Sequence, residues 1–103
     1  MALDGIAKIL LQAGDNETVI AQLTHVELDE NLTLDLATAY GRSGLFNDAA
    51  LVLNQGLKTY PDSAELTSSL ASTYIKLSRF DAAAKAAEQL ASVQLAPGLG
   101  KAV

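Results

Sequence analysis

The sequence predicts an all-α fold of about six helices, organised as repeated helix-turn-helix units. The segments "AYGRSGLFNDAA" at 39–50 and "TYIKLSRFDAAA" at 73–84 share a tyrosine, a phenylalanine and an alanine pair at the same internal positions. The offset between them, about 34 residues, lies in the range typical of repeat architectures. Apolar residues also recur at three- and four-residue steps, the spacing of one helix face. Only two prolines interrupt a chain rich in good helix formers.

The same offset extends beyond these two segments. Most of the matching positions are small or apolar, as a packed pair of helices requires. Chance explains some identities in a biased composition, but not both tyrosines and both phenylalanines in register. The identical pairs are Leu32 and Leu66, Thr33 and Thr67, Leu36 and Leu70, Ala37 and Ala71, Tyr40 and Tyr74, Phe46 and Phe80, Ala49 and Ala83, Ala50 and Ala84, and Gln55 and Gln89.

The middle unit, 30–63, shows how each repeat is organised. Its first helix has an apolar face and is followed by Gly44, which can adopt the left-handed conformation that ends a helix. Asn47 or Asp48 is expected to cap the second helix, because a side-chain oxygen there satisfies free backbone N–H groups. Pro61 closes the unit.

Two further units flank the middle one. The last unit, 64–95, is predicted to open with the capping box "DSAE" at 62–65. The first unit, 1–29, is more degenerate, places Gly14 where Gly44 later lies, and has a connection about four residues shorter than the repeat. Residues 96–103 are expected to form a flexible tail or linker. The expected helices are 2–13, 16–27, 30–43, 47–59, 63–77 and 81–93.

The recurring spacing within the units resembles that of the tetratricopeptide repeat (TPR) family. The resemblance covers roughly residues 2–95 and is strongest over 30–84. Thr33 and Thr67 stand where the family has a large residue. The matching residues are Leu36, Ala37, Tyr40, Gly44, Phe46, Ala49, Leu53, Gly56 and Pro61 in the middle unit, and Leu70, Ala71, Tyr74, Ser78, Phe80 and Ala83 in the last.

The resemblance implies a right-handed superhelical array that forms a single domain over 1–95. Small residues then allow the helices of one unit to approach closely. Tyr40, Phe46, Tyr74 and Phe80 then fill the space between one unit and the next helix. Because a single helix hairpin cannot bury its own apolar face, three stacked units suit an independently stable array.

The resemblance also implies a concave groove, lined by the first helix of each unit, that binds a peptide or helix of a partner. Lys8, Arg42 and Lys76 would place three cations on one wall, which suits a ligand with acidic groups. The alternative is that these are ordinary solvated positions. The groove positions are Asp4, Lys8, Asn31, Leu34, Thr38, Arg42, Glu65, Ser68, Ser72 and Lys76.

Composition disfavours several classes of function. The net charge of −5 argues against a nucleic-acid partner. With no cysteine and a single histidine, His25, expected on the second helix, the chain lacks the parts of a catalytic triad or a thiolate or histidine metal site. No catalytic residue, cofactor or bound metal is therefore expected.

No stretch is apolar enough to span a membrane, and the N-terminus does not have the pattern of a signal peptide. Insertion into a membrane is therefore not expected. A cytoplasmic location is the default, although a domain taken from a longer exported protein would look the same.

Two functions are compatible with this pattern. The first is a non-enzymatic protein–protein interaction scaffold. The second is a structural or self-associating segment of a longer repeat array with no specific groove ligand. The second function is suggested by the alanine-rich last helix, 81–93. No polar capping helix is predicted after it, so part of its apolar face would be exposed. That uncapped helix would then join one copy to another.

Overall fold

The structure, a computed structural model, describes the backbone of residues 2–102 and the side chains of residues 3–92. This part of the chain is all-helical, which confirms the predicted class. The helices are α1 (Ala2–Gln12), α2 (Asn16–Leu23), α3 (Glu30–Arg42), α4 (Phe46–Thr59), α5 (Ala64–Lys76) and α6 (Phe80–Ala102). From α3 to α5, and from α4 to α6, the helix starts keep the spacing of the sequence repeat.

The helices pack in a regular order. Each helix contacts the next one along the chain, and α3 also contacts both α1 and α5. Among the described helices, α2, α4 and α6 do not contact one another. Helices α1, α3 and α5 therefore form a continuous row, and the even-numbered helices are held by that row. The molecule is elongated, with extents of 47 × 32 × 22 Å.

The core between the helices is made of leucine, valine and alanine. Its most completely buried large side chains belong to Val19, Leu23, Leu53 and Leu66. Of the small residues that match between the last two units, Ala37, Ala49 and Ala83 are buried, whereas Ala71 is half-buried. Without tryptophan, this core gains its stability from many short aliphatic contacts.

Thr33 and Thr67 are both buried near the starts of α3 and α5. The Thr33 hydroxyl donates a hydrogen bond to the Asp29 carbonyl oxygen at 2.7 Å, and the Thr67 hydroxyl to that of Ser63 at 2.9 Å. Each hydroxyl is thereby satisfied by its own helix, so a small polar residue is tolerated in the core.

The three turns inside the helical hairpins share one hydrogen-bond pattern. Gly14, Gly44 and Ser78 have the left-handed φ angles of 81°, 78° and 59°, which confirms the expectation for Gly44. The pattern is that of the Schellman motif, which satisfies free carbonyl groups at a helix end. The amide-to-carbonyl pairs are Asp15 to Leu10 and Gly14 to Leu11, then Leu45 to Tyr40 and Gly44 to Gly41, then Arg79 to Tyr74 and Ser78 to Ile75.

The helix caps agree with the sequence only in part. Ser63, not Asp62, is the N-cap of α5, since its hydroxyl oxygen accepts a hydrogen bond from the Leu66 amide at 3.2 Å. The predicted capping box is therefore wrong: the third residue after the cap is Leu66, and the acid, Glu65, comes one position too early. The Ser63 hydroxyl also donates to the Glu30 carboxylate, which links the starts of α3 and α5.

The start of α4 also differs from the prediction. The helix begins at Phe46, and its N-cap, Leu45, makes no side-chain capping bond. Asn47 and Asp48 therefore lie within the first turn instead of capping it. The turn that follows Gly44 is compact, so the helix begins before either polar side chain can reach the cap position. Asp48 remains well placed to interact with the helix dipole.

Helix α2 is shorter than predicted. It ends at Leu23 instead of near residue 27. The turn residues Gly14 and Gly44 are closer in sequence than Gly44 and Ser78, by about one helical turn. Fewer residues are therefore available between the first turn and the start of α3, and α2 is shorter by about one helical turn. Consequently His25 lies in the connection, not on the helix.

The C-terminal end differs in two ways. Helix α6 continues to Ala102, past the predicted end at 93, with Pro97 inside it. Proline lacks the backbone N–H, which weakens a helix locally but does not have to end it. A flexible tail over 96–103 concerns motion and stays a prediction. Phe80 is 63% exposed, whereas Phe46 is half-buried beside α5, so Phe80 does not fill an interhelical space as expected.

Candidate functional site

Seven of the ten predicted groove residues line one surface between α3 and α5. Two adjoining depressions make up this surface, with volumes of about 230 Å³ and 470 Å³. Ser69 lines both and so joins them. The predicted residues are Thr38, Arg42, Ser72 and Lys76 in the first depression, and Leu34, Glu65 and Ser68 in the second. We refer to this surface as the α3–α5 groove.

Helix geometry explains why these residues meet. Positions 34, 38 and 42 recur at four-residue steps, so they share one face of α3. Positions 65, 68, 72 and 76 recur at steps of three and four residues and likewise share one face of α5. Because α3 and α5 pack side by side, the two faces form adjacent walls. Ala37, Gly41 and Phe46 complete the lining of the first depression.

The hydroxyl groups of the groove are not equally available. The Thr38 hydroxyl donates to the Leu34 carbonyl oxygen at 2.8 Å, and the Thr73 hydroxyl to that of Ser69 at 2.8 Å. Both donors are therefore occupied within their own helices. Ser72 is exposed and makes no such bond within the described side chains, so its hydroxyl is available to a ligand.

Arg42 has a structural contact as well as a place in the groove. Its Nη1 atom donates to the Leu11 carbonyl oxygen at 2.8 Å, which ties the end of α1 to the end of α3. A guanidinium group has five N–H donors in a planar fork. The remaining donors can therefore face the groove while this bond is kept.

Lys8 and Asp4 lie elsewhere, in a charged cluster between α1 and α3. The Lys8 Nζ atom is 2.9 Å from Asp4 Oδ1 and 3.1 Å from Asp35 Oδ1. Asp35 is only 4% exposed, and its Oδ2 atom has no hydrogen-bond partner among the described residues. Lys8 is thus paired with two acids and lies outside the α3–α5 groove. Of the two lysines predicted to bind a ligand, Lys76 is therefore the one that lines the groove.

The environment shifts the ionisation of this cluster. Burial raises the pKa of Asp35 to about 6, and the neighbouring Asp4 carboxyl adds to this rise, while Lys8 opposes it. The pKa of Asp4 is lowered, first by its interaction with the neighbouring Asp35 carboxyl and then by its hydrogen bond with Lys8. The pKa of Lys8 is raised, chiefly by its hydrogen bond to Asp4. The two carboxyl groups therefore differ: Asp4 stays charged to lower pH than Asp35.

Asp35 was not among the residues that the sequence suggested. A signal was present, because Asp35 shares a helix face with Leu32, three residues before it, and Ala39, four residues after it. Both neighbours are buried. An acid on such a face requires a partner, but its identity depends on how α1 packs against α3. Asn31, the remaining predicted residue, is exposed in the first turn of α3 and lines neither depression.

The same part of the chain offers little other chemistry. His25 is exposed. Among the described residues, no group of three or more histidine, cysteine or acidic side chains is arranged to hold a metal ion. None of the described helices combines the length and apolar character that crossing a membrane requires.

The chain was compared with known proteins at three levels. No protein-family model, no curated protein and no solved structure matches it.

Proposed function

We propose that the protein is a non-enzymatic interaction module whose α3–α5 groove binds a peptide or helix of a protein partner. In this proposal the six helices form three TPR-like units that stack into a right-handed superhelix. The observation that carries the proposal is the convergence of residues from α3 and α5, which are not consecutive, on one open surface. Most of those residues are polar and are not part of the core, whereas Leu34 packs against it.

Two features support the repeat architecture. The three turns with left-handed residues have the same hydrogen bonds, and the helices of the last two units begin at equivalent positions of the sequence repeat. A row of first helices, α1, α3 and α5, matches the way repeat proteins present a binding surface.

The charges of the groove suggest which ligand it prefers. Arg42 and Lys76 lie at the C-terminal ends of α3 and α5, whereas Glu65 lies in the first turn of α5. A peptide with an acidic residue near Arg42 and Lys76, and an apolar side chain near Leu34, complements the two ends of the groove. Arg42 can contribute a bidentate contact to a carboxylate.

A peptide display experiment tests this function. A library of random peptides would be selected on the wild-type protein and, in parallel, on the double variant Ser72→Glu with Lys76→Glu. We expect acidic peptides to be enriched on the wild type and lost on the variant. Arg42 is left unchanged because its bond to Leu11 stabilises the fold.

The matched control is the double variant Lys58→Glu with Lys85→Glu, which makes a comparable charge change on exposed residues of α4 and α6. Circular dichroism would verify that both variants remain helical. Enrichment that is equal on all three proteins would contradict the groove assignment.

A second candidate function is self-association through the C-terminal end. Phe80 supports it, because this ring is 63% exposed whereas Phe46, its counterpart in the preceding unit, lies beside α5. Light scattering at two concentrations would show a concentration-dependent mass if the end associates, and Phe80→Lys should abolish it. A constant monomer mass would contradict this second function and leave the first unaffected.

A further inference from the structure

A second apolar depression lies on a different part of the molecule from the α3–α5 groove. It is a cavity of about 310 Å³ between segment 24–28, α3 and α4, and we call it the α4 cavity. Its position follows from the early end of α2, which leaves part of α4 without a helical neighbour on that side. The lining residues are Leu23, Thr24, Val26, Leu28, Leu36, Tyr40, Asp48, Leu51, Val52 and Gln55.

Most of the residues that line the α4 cavity are apolar, although polar groups form nearly half of its exposed lining. Leu51 is 58% exposed and Val26 is 39% exposed. Exposed side chains of this kind gain free energy when a ligand removes them from water. The residue equivalent to Leu51 in the last unit is Lys85. The apolar character is therefore particular to this unit and not a requirement of the repeat.

One end of the cavity is polar. Among the described residues, Asp48, in the first turn of α4, is the one charged residue that lines the cavity. Within residues 3–92, Asp48 forms no ion pair. Tyr40, in the last turn of α3, also lines the cavity. A carboxylate beside an aromatic ring favours a cationic group, through charge pairing and a cation–π contact.

The opposite end of the cavity continues along α4. A second depression, of about 190 Å³, shares Leu28, Val52 and Gln55 with it and extends to Thr59 and Tyr60. The two depressions together form an elongated channel along α4, lined by more apolar than polar residues and with a carboxylate at one end. A ligand pocket typically has this character, with mostly apolar walls and a few polar groups that fix orientation.

We propose that the α4 cavity binds a small amphipathic ligand, with an apolar chain along α4 and a cationic head beside Asp48. A ligand that follows the channel along α4 and pairs with Asp48 must combine an apolar part with a positive charge.

Two probes with the same alkyl chain and opposite charge test the proposal: decyltrimethylammonium and decyl sulfate, both below their micellar concentrations. Binding would be followed by NMR chemical shifts of the backbone amides. We expect the cationic probe to shift Val26, Leu51 and Gln55 and to bind about fivefold more tightly than the anionic probe, as one partly solvated charge pair allows. Equal affinities, or shifts spread over the surface, would overturn the proposal.

Matched variants separate the cavity from general attraction to an acidic protein. Leu51→Lys should weaken binding of the cationic probe about tenfold, whereas Ile9→Lys, at a residue that is 66% exposed on α1, should not. Asp48→Asn should remove the preference for the cationic head, and Asp81→Asn, in the first turn of α6, should retain it.

The variants also give clear negative outcomes. If Ile9→Lys weakens binding as much as Leu51→Lys, or Asp81→Asn as much as Asp48→Asn, the probe responds to surface charge alone and the cavity assignment is wrong. If neither probe shifts the cavity residues but peptides selected on the wild type do, the α4 cavity belongs to a peptide site instead, which also contradicts the proposal.

Discussion

The Thr33 methyl carbon, Cγ2, lies only 2.7 Å from the position that a Cβ atom on Gly56 would occupy. A Leu66 methyl carbon, Cδ1, lies 3.1 Å from the same point. Gly56 is in the interior of α4, where glycine is otherwise less favourable than alanine by about 1 kcal/mol. Close approach of α4 to both α3 and α5 therefore explains why glycine stands at this position.

Gly56→Ala is expected to destabilise the protein by about 1–2 kcal/mol, because the clash outweighs the gain in helix propensity. Thr33→Ser removes the clashing methyl group and keeps the hydroxyl that bonds to Asp29. The alanine substitution should therefore cost less in the Thr33→Ser background. Urea unfolding of the wild type, the two single variants and the double variant measures this coupling. If Gly56→Ala lowers the free energy of unfolding equally in both backgrounds, the steric explanation is wrong.

The buried Asp35 carboxyl predicts a pH dependence of stability. Its pKa is about 6 in the folded protein against an ordinary value of 3.8, so the stabilisation is present below pH 3.8 and is lost as the pH rises through 6. This difference corresponds to about 3 kcal/mol. The lowered pKa of Asp4 acts in the opposite sense, at pH values below about 4. Together, these two groups predict that stability falls as the pH rises from about 4 to 6.

Variants of the cluster should change this dependence in opposite directions. Asp35→Asn should flatten the decrease between pH 4.5 and 7.5 and raise stability at pH 7, since Lys8 keeps Asp4 as its partner. Lys8→Met should steepen the decrease, because Lys8 is the group that favours the ionised form of Asp35. Unfolding free energies measured by urea at several pH values test both. If the unfolding free energy of Asp35→Asn changes with pH as steeply as that of the wild type, a group other than Asp35 causes the pH dependence.

Ser78 is the one described non-glycine residue with a positive φ. An L-residue in the left-handed region costs about 1 kcal/mol or more, and glycine occupies the equivalent positions in the other two turns. Ser78→Gly should therefore raise the thermal midpoint by about 2–5 °C. As a control, Ser43→Gly, where φ is −88°, should lower it. A fall in both variants would mean that the serine side chain stabilises its turn.

The sequence predicted those features that depend on local chemistry. The left-handed turn at Gly44, the helix class and the row of residues 34, 38 and 42 all follow from spacing along one helix. The Lys8 and Asp35 pair could not be predicted, because it depends on how two helices distant in sequence dock against each other. Ser63 displaced the predicted cap for a similar reason, since its hydroxyl is also positioned by Glu30 on another helix.

The early end of α2 has a consequence for how this protein could diversify. The α4 cavity lies beside the connection that follows the early end of α2, where the chain between Gly14 and Gly44 is short. An insertion of about one helical turn after Leu23 would let α2 lengthen and close the cavity. Insertions and deletions in this connection, rather than point substitutions, are therefore the changes by which related chains would gain or lose the site.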